Sequence, residues 1–322
     1  MKRMLLVLLV SFGPPACESA RDETPEGRPS EALLIAHRGA SAYAPEHTLP
    51  AYRLALEQGA DFIEPDLQIT RDGHLIALHD LTLERTTDVR ERFPDRFREE
   101  ADGDDLVRRW YAMDFTLSEI RQLDAGSWFG PEFRGARIPT LGEVIELARG
   151  RAGIYPETKA PGTYSESGHQ MERLLVSELE RYGLDRRGAD PSTPVIVQSF
   201  SVQSLRILRD ELGSDLPQTF LLSRSDAEEW TSVEGLERAS EFAEGIGPAR
   251  GLLDNDPGMV KRAHAAGLQV IPWTFGASDP EDHGRLKEEM ARFLCVLGVD
   301  GLFTNNPDLF PRPRANLPRV GR

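Results

Sequence analysis

Between residues 31 and 310, short apolar runs alternate with longer stretches whose apolar residues recur every three or four positions. Leu33–Ala36, Phe62–Ile69, Leu75–His79, Gly153–Thr158, Val195–Ser199, Gln218–Leu222, Phe242–Ile246, Gln269–Trp273 and Gly301–Thr304 read as buried strands. Leu49–Gln58, Leu141–Ala148, Met171–Tyr182, Val202–Glu211, Pro257–Ala266 and Pro280–Leu294 read as amphipathic helices. Strands alternating with helices predict an α/β fold with a parallel sheet. At this length a closed TIM (β/α)8 barrel is expected rather than two open-sheet domains.

The pattern holds one strand more than such a barrel uses. Only Arg71-Asp72-Gly73-His74 separates the second run from the third, too little for a parallel crossover. Asp-Gly favours a two-residue hairpin turn, so these two runs are expected to pair antiparallel. In that register Arg71 faces His74 and His79 faces Asp66. Glu64, two residues before Asp66, shares the same face. The hairpin would then gather Glu64, Asp66 and His79. Two carboxylates this close do not both ionise comfortably without a cation, and a hard divalent ion suits them. Another strand ends in Tyr155-Pro156-Glu157-Thr158-Lys159, which offers a third carboxylate and a cation for an anionic substrate. The first strand ends in His37-Arg38-Gly39. In a parallel barrel, chemistry gathers at such C-terminal strand ends.

Residues 87–139 do not follow the alternation. They carry a dense charge run and several aromatics, among them Phe93, Phe97, Trp110, Tyr111 and Phe115. A solvated insertion after the hairpin is the plain expectation, and a lid over the barrel mouth is the alternative.

Composition removes some function classes. The 322 residues carry 38 Lys and Arg against 53 Asp and Glu, a net charge of −15. That field does not suit nucleic acid, although a metal and a few local cations could still hold a phosphate. Two cysteines, Cys17 and Cys295, are too few for a cysteine-built metal cluster. Lys2 and Arg3 precede a short apolar run, Met4–Val10, and small residues reaching Cys17. This reads as an export leader, with Cys17 as a possible lipid tether to a bacterial membrane and periplasmic release as the other outcome. The expected organisation is a leader and linker over 1–30, a barrel over 31–310 with the insertion 87–139, and a disordered tail over 311–322. No protein partner is implied.

At this point the motifs resemble one family. HRGASAYAPEHTLPAYRLALEQGADFIEPDLQITRDGHLIALHDLTLERTTDV, from His37 to Val89, is similar to the signature of the glycerophosphodiester phosphodiesterases. YPETK (155–159), VQSF (197–200), IGP (246–248), IPWT (271–274) and VDGLFTNNP (299–307) follow in the family's order. The insertion, with TDVRERFP and AMDFTLSEI, is most like the periplasmic, calcium-dependent branch. The resemblance implies that Glu64, Asp66 and Glu157 hold a divalent metal, Ca²⁺ first and Mg²⁺ as the alternative. It implies that His37 and His79 are the acid–base pair and that Arg38 and Lys159 meet the phosphate. Gln198, Ser199, Phe200 and Trp273 would line the substrate end. The implied reaction is hydrolysis of a small glycerophosphodiester to sn-glycerol 3-phosphate and an alcohol. Lysophospholipase D-like or sphingomyelinase D-like activity, or non-catalytic capture of the same ligands, are the alternatives. The sequence departs from the family's usual residues at His47 and Asn305, where Asn and Asp are common, and at Gly276, where Asn is common. His47 is read as a loop-packing residue, and Gly276 and Asn305 as positions able to alter substrate choice.

Overall fold

The computed structural model describes residues 32–103 and 105–312. The leader, Cys17 and the tail beyond 312 lie outside the described residues. The barrel strands follow the chain as β1 (Leu33–His37), β2 (Phe62–Glu64) running on into β3 (Asp66–Ile69), and β4 (Leu75–Ala77). A hairpin, β5 (Arg98–Asp102) and β6 (Asp105–Arg109), interrupts them. Then come β7 (Gly153–Ile154) running on into β8 (Glu157–Thr158), β9 (Val197–Ser199), β10 (Gln218–Leu222), β11 (Gly245–Pro248), β12 (Gln269–Val270) and β13 (Gly301–Thr304). Hydrogen bonding orders them as β13-β1-β2-β7 and β12-β11-β10-β9-β8-β3-β4. Every pairing in these two orders except β3–β4 is parallel, and a parallel bridge from Phe275 to Thr304 links the two ends. This is a TIM barrel with β4 added antiparallel beside β3. Among the described residues, no helix is long and apolar enough to cross a membrane.

Two prolines shape the rim. Pro65 separates β2 from β3, and Pro156 separates β7 from β8, because proline offers no N–H to a ladder. The carbonyls of both prolines stay engaged: Glu157 N donates to Pro65 O at 2.9 Å, and Gln198 N to Pro156 O at 2.9 Å. Glu64, Asp66 and Glu157 therefore flank the two breaks.

The hairpin forms, but in a different register from the expected one. Leu67 faces Ala77, Gln68 faces Ile76 and Ile69 faces Leu75. Thr70 N donates to His74 O, so the loop has three residues, with Gly73 left-handed at φ +81°. A three-residue loop with a left-handed glycine competes with the two-residue Asp-Gly turn, and here it wins. Leu78, not His79, lies opposite Asp66 and donates its N–H to Asp66 O at 2.9 Å. His79 reaches the rim from the loop beyond β4.

Two other elements differ from the pattern. The run expected as Phe242–Ile246 becomes a strand only from Gly245, because Phe242 and Ala243 turn their N–H groups back onto Ala239 at the end of the helix Val233–Ser240. The insertion contains β5 and β6, paired from Arg98↔Arg109 to Asp102↔Asp105. Arg108 stacks over Phe97 at 4.3 Å and Arg98 over Tyr111 at 4.7 Å. Phe115 and Trp110 pack with Ile76, Leu78 and Leu83 into a satellite core against the hairpin. The insertion's aromatics thus build its own support.

The main core lies between sheet and helices, and a small cluster fills the barrel axis. Tyr155 plugs that axis between Phe62 and Phe303, at 5.6 and 5.2 Å between ring centroids, and its hydroxyl meets Thr219 Oγ1. Gly39 closes the turn after β1 at φ +87°, and a Cβ there would lie 2.7 Å from the carbonyl carbon of Ala51. Gly39→Ala is expected to destabilise the protein by about 1–3 kcal/mol, read as a lowered urea midpoint with an unchanged slope.

Candidate active site

Each strand end delivers one part of the site. His37 ends β1, and Arg38 follows in the left-handed region at φ +59°, an uncommon conformation for a side-chain-bearing residue. This turn aims Arg38 N at Glu64 Oε2, 2.8 Å away. Glu64 Oε1 accepts from Gln198 Nε2 at 3.0 Å. Asp66 Oδ2 accepts from His47 Nε2 at 2.8 Å and lies 3.3 Å from Arg38 Nε, while its Oδ1 lies 3.6 Å from Lys159 Nζ. Lys159 Nζ is also 3.2 Å from Glu157 Oε1. Carboxylate oxygens of Glu64, Asp66 and Glu157 come within 4.8 Å of one another, and all three side chains are buried.

Ten of the eleven residues expected at the site line one cavity of about 170 Å³: His37, Arg38, Glu64, Asp66, His79, Glu157, Lys159, Gln198, Phe200 and Trp273. Phe200 and Trp273 meet edge to face at 5.5 Å on the apolar side, and Trp273 Nε1 donates to Gly247 O at 2.7 Å. Ser199 is turned away, with its hydroxyl donating to Thr158 O at 3.1 Å. No described residue of the insertion lines this cavity.

The electrostatics separate the three carboxyl groups. Burial, reinforced by the Asp66 charge, pushes Glu64 and Glu157 well above the usual carboxylate range. Burial acts on Asp66 as well, but Lys159, the His47 hydrogen bond and Arg38 together hold it well below that range. The site thus holds one carboxyl group biased toward ionisation and two biased toward keeping their protons. A divalent cation fits this donor set: three hard carboxylate oxygens lying close together, whose ionised forms it would favour. Gln198 Oε1, buried beside Glu64 with no hydrogen-bond partner, adds an oxygen free to turn toward a ligand.

The raised pair has a consequence for stability. Between their unfolded value, about 4.3, and their folded values, Glu64 and Glu157 bind protons in the native state that the unfolded chain has lost. Their contribution to metal-free stability is complete below the unfolded value and is lost as pH rises through the folded ones. The urea midpoint of the metal-free protein should therefore decline with rising pH. Saturating metal should flatten that decline, and metal binding should release protons into the buffer.

The supporting roles of five residues were not evident in the sequence. His47, read as loop packing, is buried on Asp66, and its Nδ1 lies 2.7 Å from the Tyr52 hydroxyl. It supports a carboxylate of the triad. Asn305 Oδ1 is 2.8 Å from His37 Nδ1, so a position read as a substrate-choice departure orients a site histidine. Gly276 makes room for it, since a Cβ there would lie 2.7 Å from Asn305 Nδ2. Asp80 Oδ1 is 2.6 Å from His79 Nδ1, and Glu46 Oε1 accepts from Arg38 Nη1 at 3.1 Å. Burial would raise Glu46, but Arg85 and Arg38 hold it down to about 2. Glu46 and Asp80 adjoin motif residues in the chain, which was the available signal.

Residues 37–309 match the model of the glycerophosphoryl diester phosphodiesterase family. A glycerophosphodiester phosphodiesterase of Bacillus subtilis is 37% identical over 290 residues, covering 88% of this chain and 86% of the relative. One from Caldanaerobacter subterraneus subsp. tengcongensis is 33% identical, covering 90% of this chain and 98% of its own. Among solved structures, a phosphodiesterase of Oleispira antarctica in complex with the product sn-glycerol-3-phosphate superposes with a TM-score of 0.66 at 26% identity, covering 86% of this chain and 94% of that one. The chain belongs to the glycerophosphoryl diester phosphodiesterase family, and its enzyme class is that of the phosphoric diester hydrolases.

Proposed function

We propose that this enzyme is an exported, calcium-dependent hydrolase that cleaves glycerophosphodiesters to sn-glycerol 3-phosphate and an alcohol. The observation that carries the reading is the convergence of two histidines, two cations and three buried carboxylates on one small cavity. Glu64, Asp66 and Glu157 would hold the metal. When bound, Ca²⁺ supplies positive charge that offsets the anionic phosphodiester, and Mg²⁺ is the alternative ion. The export assignment rests on the leader pattern before residue 31, with Cys17 as a membrane tether.

His37 is the base. Asn305 Oδ1 only accepts, so Nδ1 keeps its proton and Nε2 presents a lone pair. Burial, with the Arg38 charge behind it, lowers the ring to about 3, so it is neutral and ready to accept at neutral pH. It takes the proton of the substrate's glycerol 2-hydroxyl, which attacks phosphorus and expels the alcohol as a cyclic phosphate forms. His79, its Nδ1 held by Asp80, gives a proton from Nε2 to that leaving oxygen. Water then opens the ring with the two roles exchanged. Arg38 and Lys159 hold the phosphate oxygens, and Phe200 and Trp273 cover the glycerol.

The test is hydrolysis of glycerophosphocholine beside lysophosphatidylcholine after thorough chelation, with Ca²⁺ and Mg²⁺ restored separately. Turnover of glycerophosphocholine that vanishes on chelation and returns with Ca²⁺ is expected. Full turnover after chelation would sink the metal assignment. Preference for lysophosphatidylcholine would move the substrate to the lysophospholipase D class, and ligand binding without turnover would leave a capture protein.

A further inference from the structure

Arg85 lies between the hairpin and the insertion, and the proposed reaction gives it no part. Its guanidinium engages two carboxylates at once. Nε donates to Asp80 Oδ2 at 2.5 Å, Nη1 to Glu46 Oε2 at 2.9 Å and Nη2 to Glu46 Oε1 at 2.7 Å. Each carboxylate meets a site residue with an oxygen as well. Asp80 Oδ1 holds His79 Nδ1, and Glu46 Oε1 accepts from Arg38 Nη1. An unbroken chain of contacts therefore runs from His79 through Asp80, Arg85 and Glu46 to Arg38, which reaches Asp66.

We propose that Arg85 is a positioning residue that sets His79 and Arg38 together, tying the protonation of the leaving alcohol to the grip on the phosphate. An exposed ion pair alone adds little to stability. Arg85 differs in geometry: its side chain is 42% exposed, yet all three nitrogens are committed, and both partners face inward onto the site. Lysine could not replace it, because one ammonium point charge cannot hold a bidentate carboxylate and a second carboxylate together. The inference rests on the reading of His79 as the acid and Arg38 as a phosphate ligand.

The experiment compares glycerophosphocholine with the 4-nitrophenyl diester of glycerol 3-phosphate, whose phenolate leaves without a proton. Arg85→Ala should lower kcat on glycerophosphocholine about 10- to 100-fold, a share of the ~10²–10⁴ that a general acid contributes. On the nitrophenyl diester kcat should fall only a few-fold, while KM rises for both. In an Asp80→Asn background, Arg85→Ala should add little further leaving-group-dependent loss. Millimolar guanidinium should restore glycerophosphocholine turnover in Arg85→Ala, and Arg85→Lys should not restore it. Equal losses on the two substrates, full additivity with Asp80→Asn, or no loss would each overturn the assignment while leaving the proposed function standing. Failure of the unaltered enzyme on both substrates would overturn the function and the assignment together. If Arg85→Ala does not fold, Asp80→Asn alone must show the same leaving-group dependence, and its absence overturns the assignment.

Discussion

Glycerophosphocholine turnover by His37→Ala should fall by about 10²–10⁴-fold, and a better leaving group should not restore it. His79→Ala should fall comparably on glycerophosphocholine but recover most of its rate on the nitrophenyl diester. The asymmetry follows from the two rings' partners. His37 is buried against a neutral amide and beside Arg38, surroundings that oppose charge on the ring. His79 is paired with a carboxylate that complements the ring when it is charged. The first suits a proton acceptor and the second a proton donor. Steady-state rates on the two substrates decide it, and the reverse pattern would exchange the assignments.

Glu64→Gln and Asp66→Asn should both abolish metal-dependent activity yet move stability differently. Burial and the Asp66 charge push Glu64 toward its neutral form without metal, and glutamine matches that form in shape and charge. The metal-free protein should stay within about 1 kcal/mol of the parent, a small effect as expected where no charge is removed. Asp66 is the member held toward ionisation, facing Arg38, Lys159 and His47. Asparagine there removes the buried charge that Arg38 and Lys159 share, leaving Arg38 to Glu46 and Lys159 to Glu157, at a cost of about 3–5 kcal/mol. Urea unfolding with and without Ca²⁺ checks both, and equal destabilisation by the two variants would refute the division of charge.

The barrel was legible because buried strands and amphipathic helices alternate along the chain. The principal site residues were legible because they stand at strand ends and within motifs. The hairpin was visible in Asp72-Gly73, but its register was not, since Gly73 can serve a two-residue or a three-residue loop equally well. β5 and β6 were invisible because Arg98–Asp102 is nearly all polar and its support comes from stacked arginines and an ion pair, not from alternation. His47, Asn305, Asp80 and Arg85 escaped for one shared reason. Each works through a contact made by folding, in Asn305's case with a residue 268 positions away.

The proline breaks make the rim a seam. Glu64 closes β2, which belongs to the four-stranded piece of the barrel, whereas Asp66 and Glu157 open β3 and β8 in the seven-stranded piece. An ion shared by the three carboxylates would rivet these pieces together where the backbone ladder is interrupted. Occupancy should then be felt as stiffness at the joint, with amide hydrogens on either side of Pro65 and Pro156 exchanging more slowly than those at the uninterrupted β10–β11 pairing.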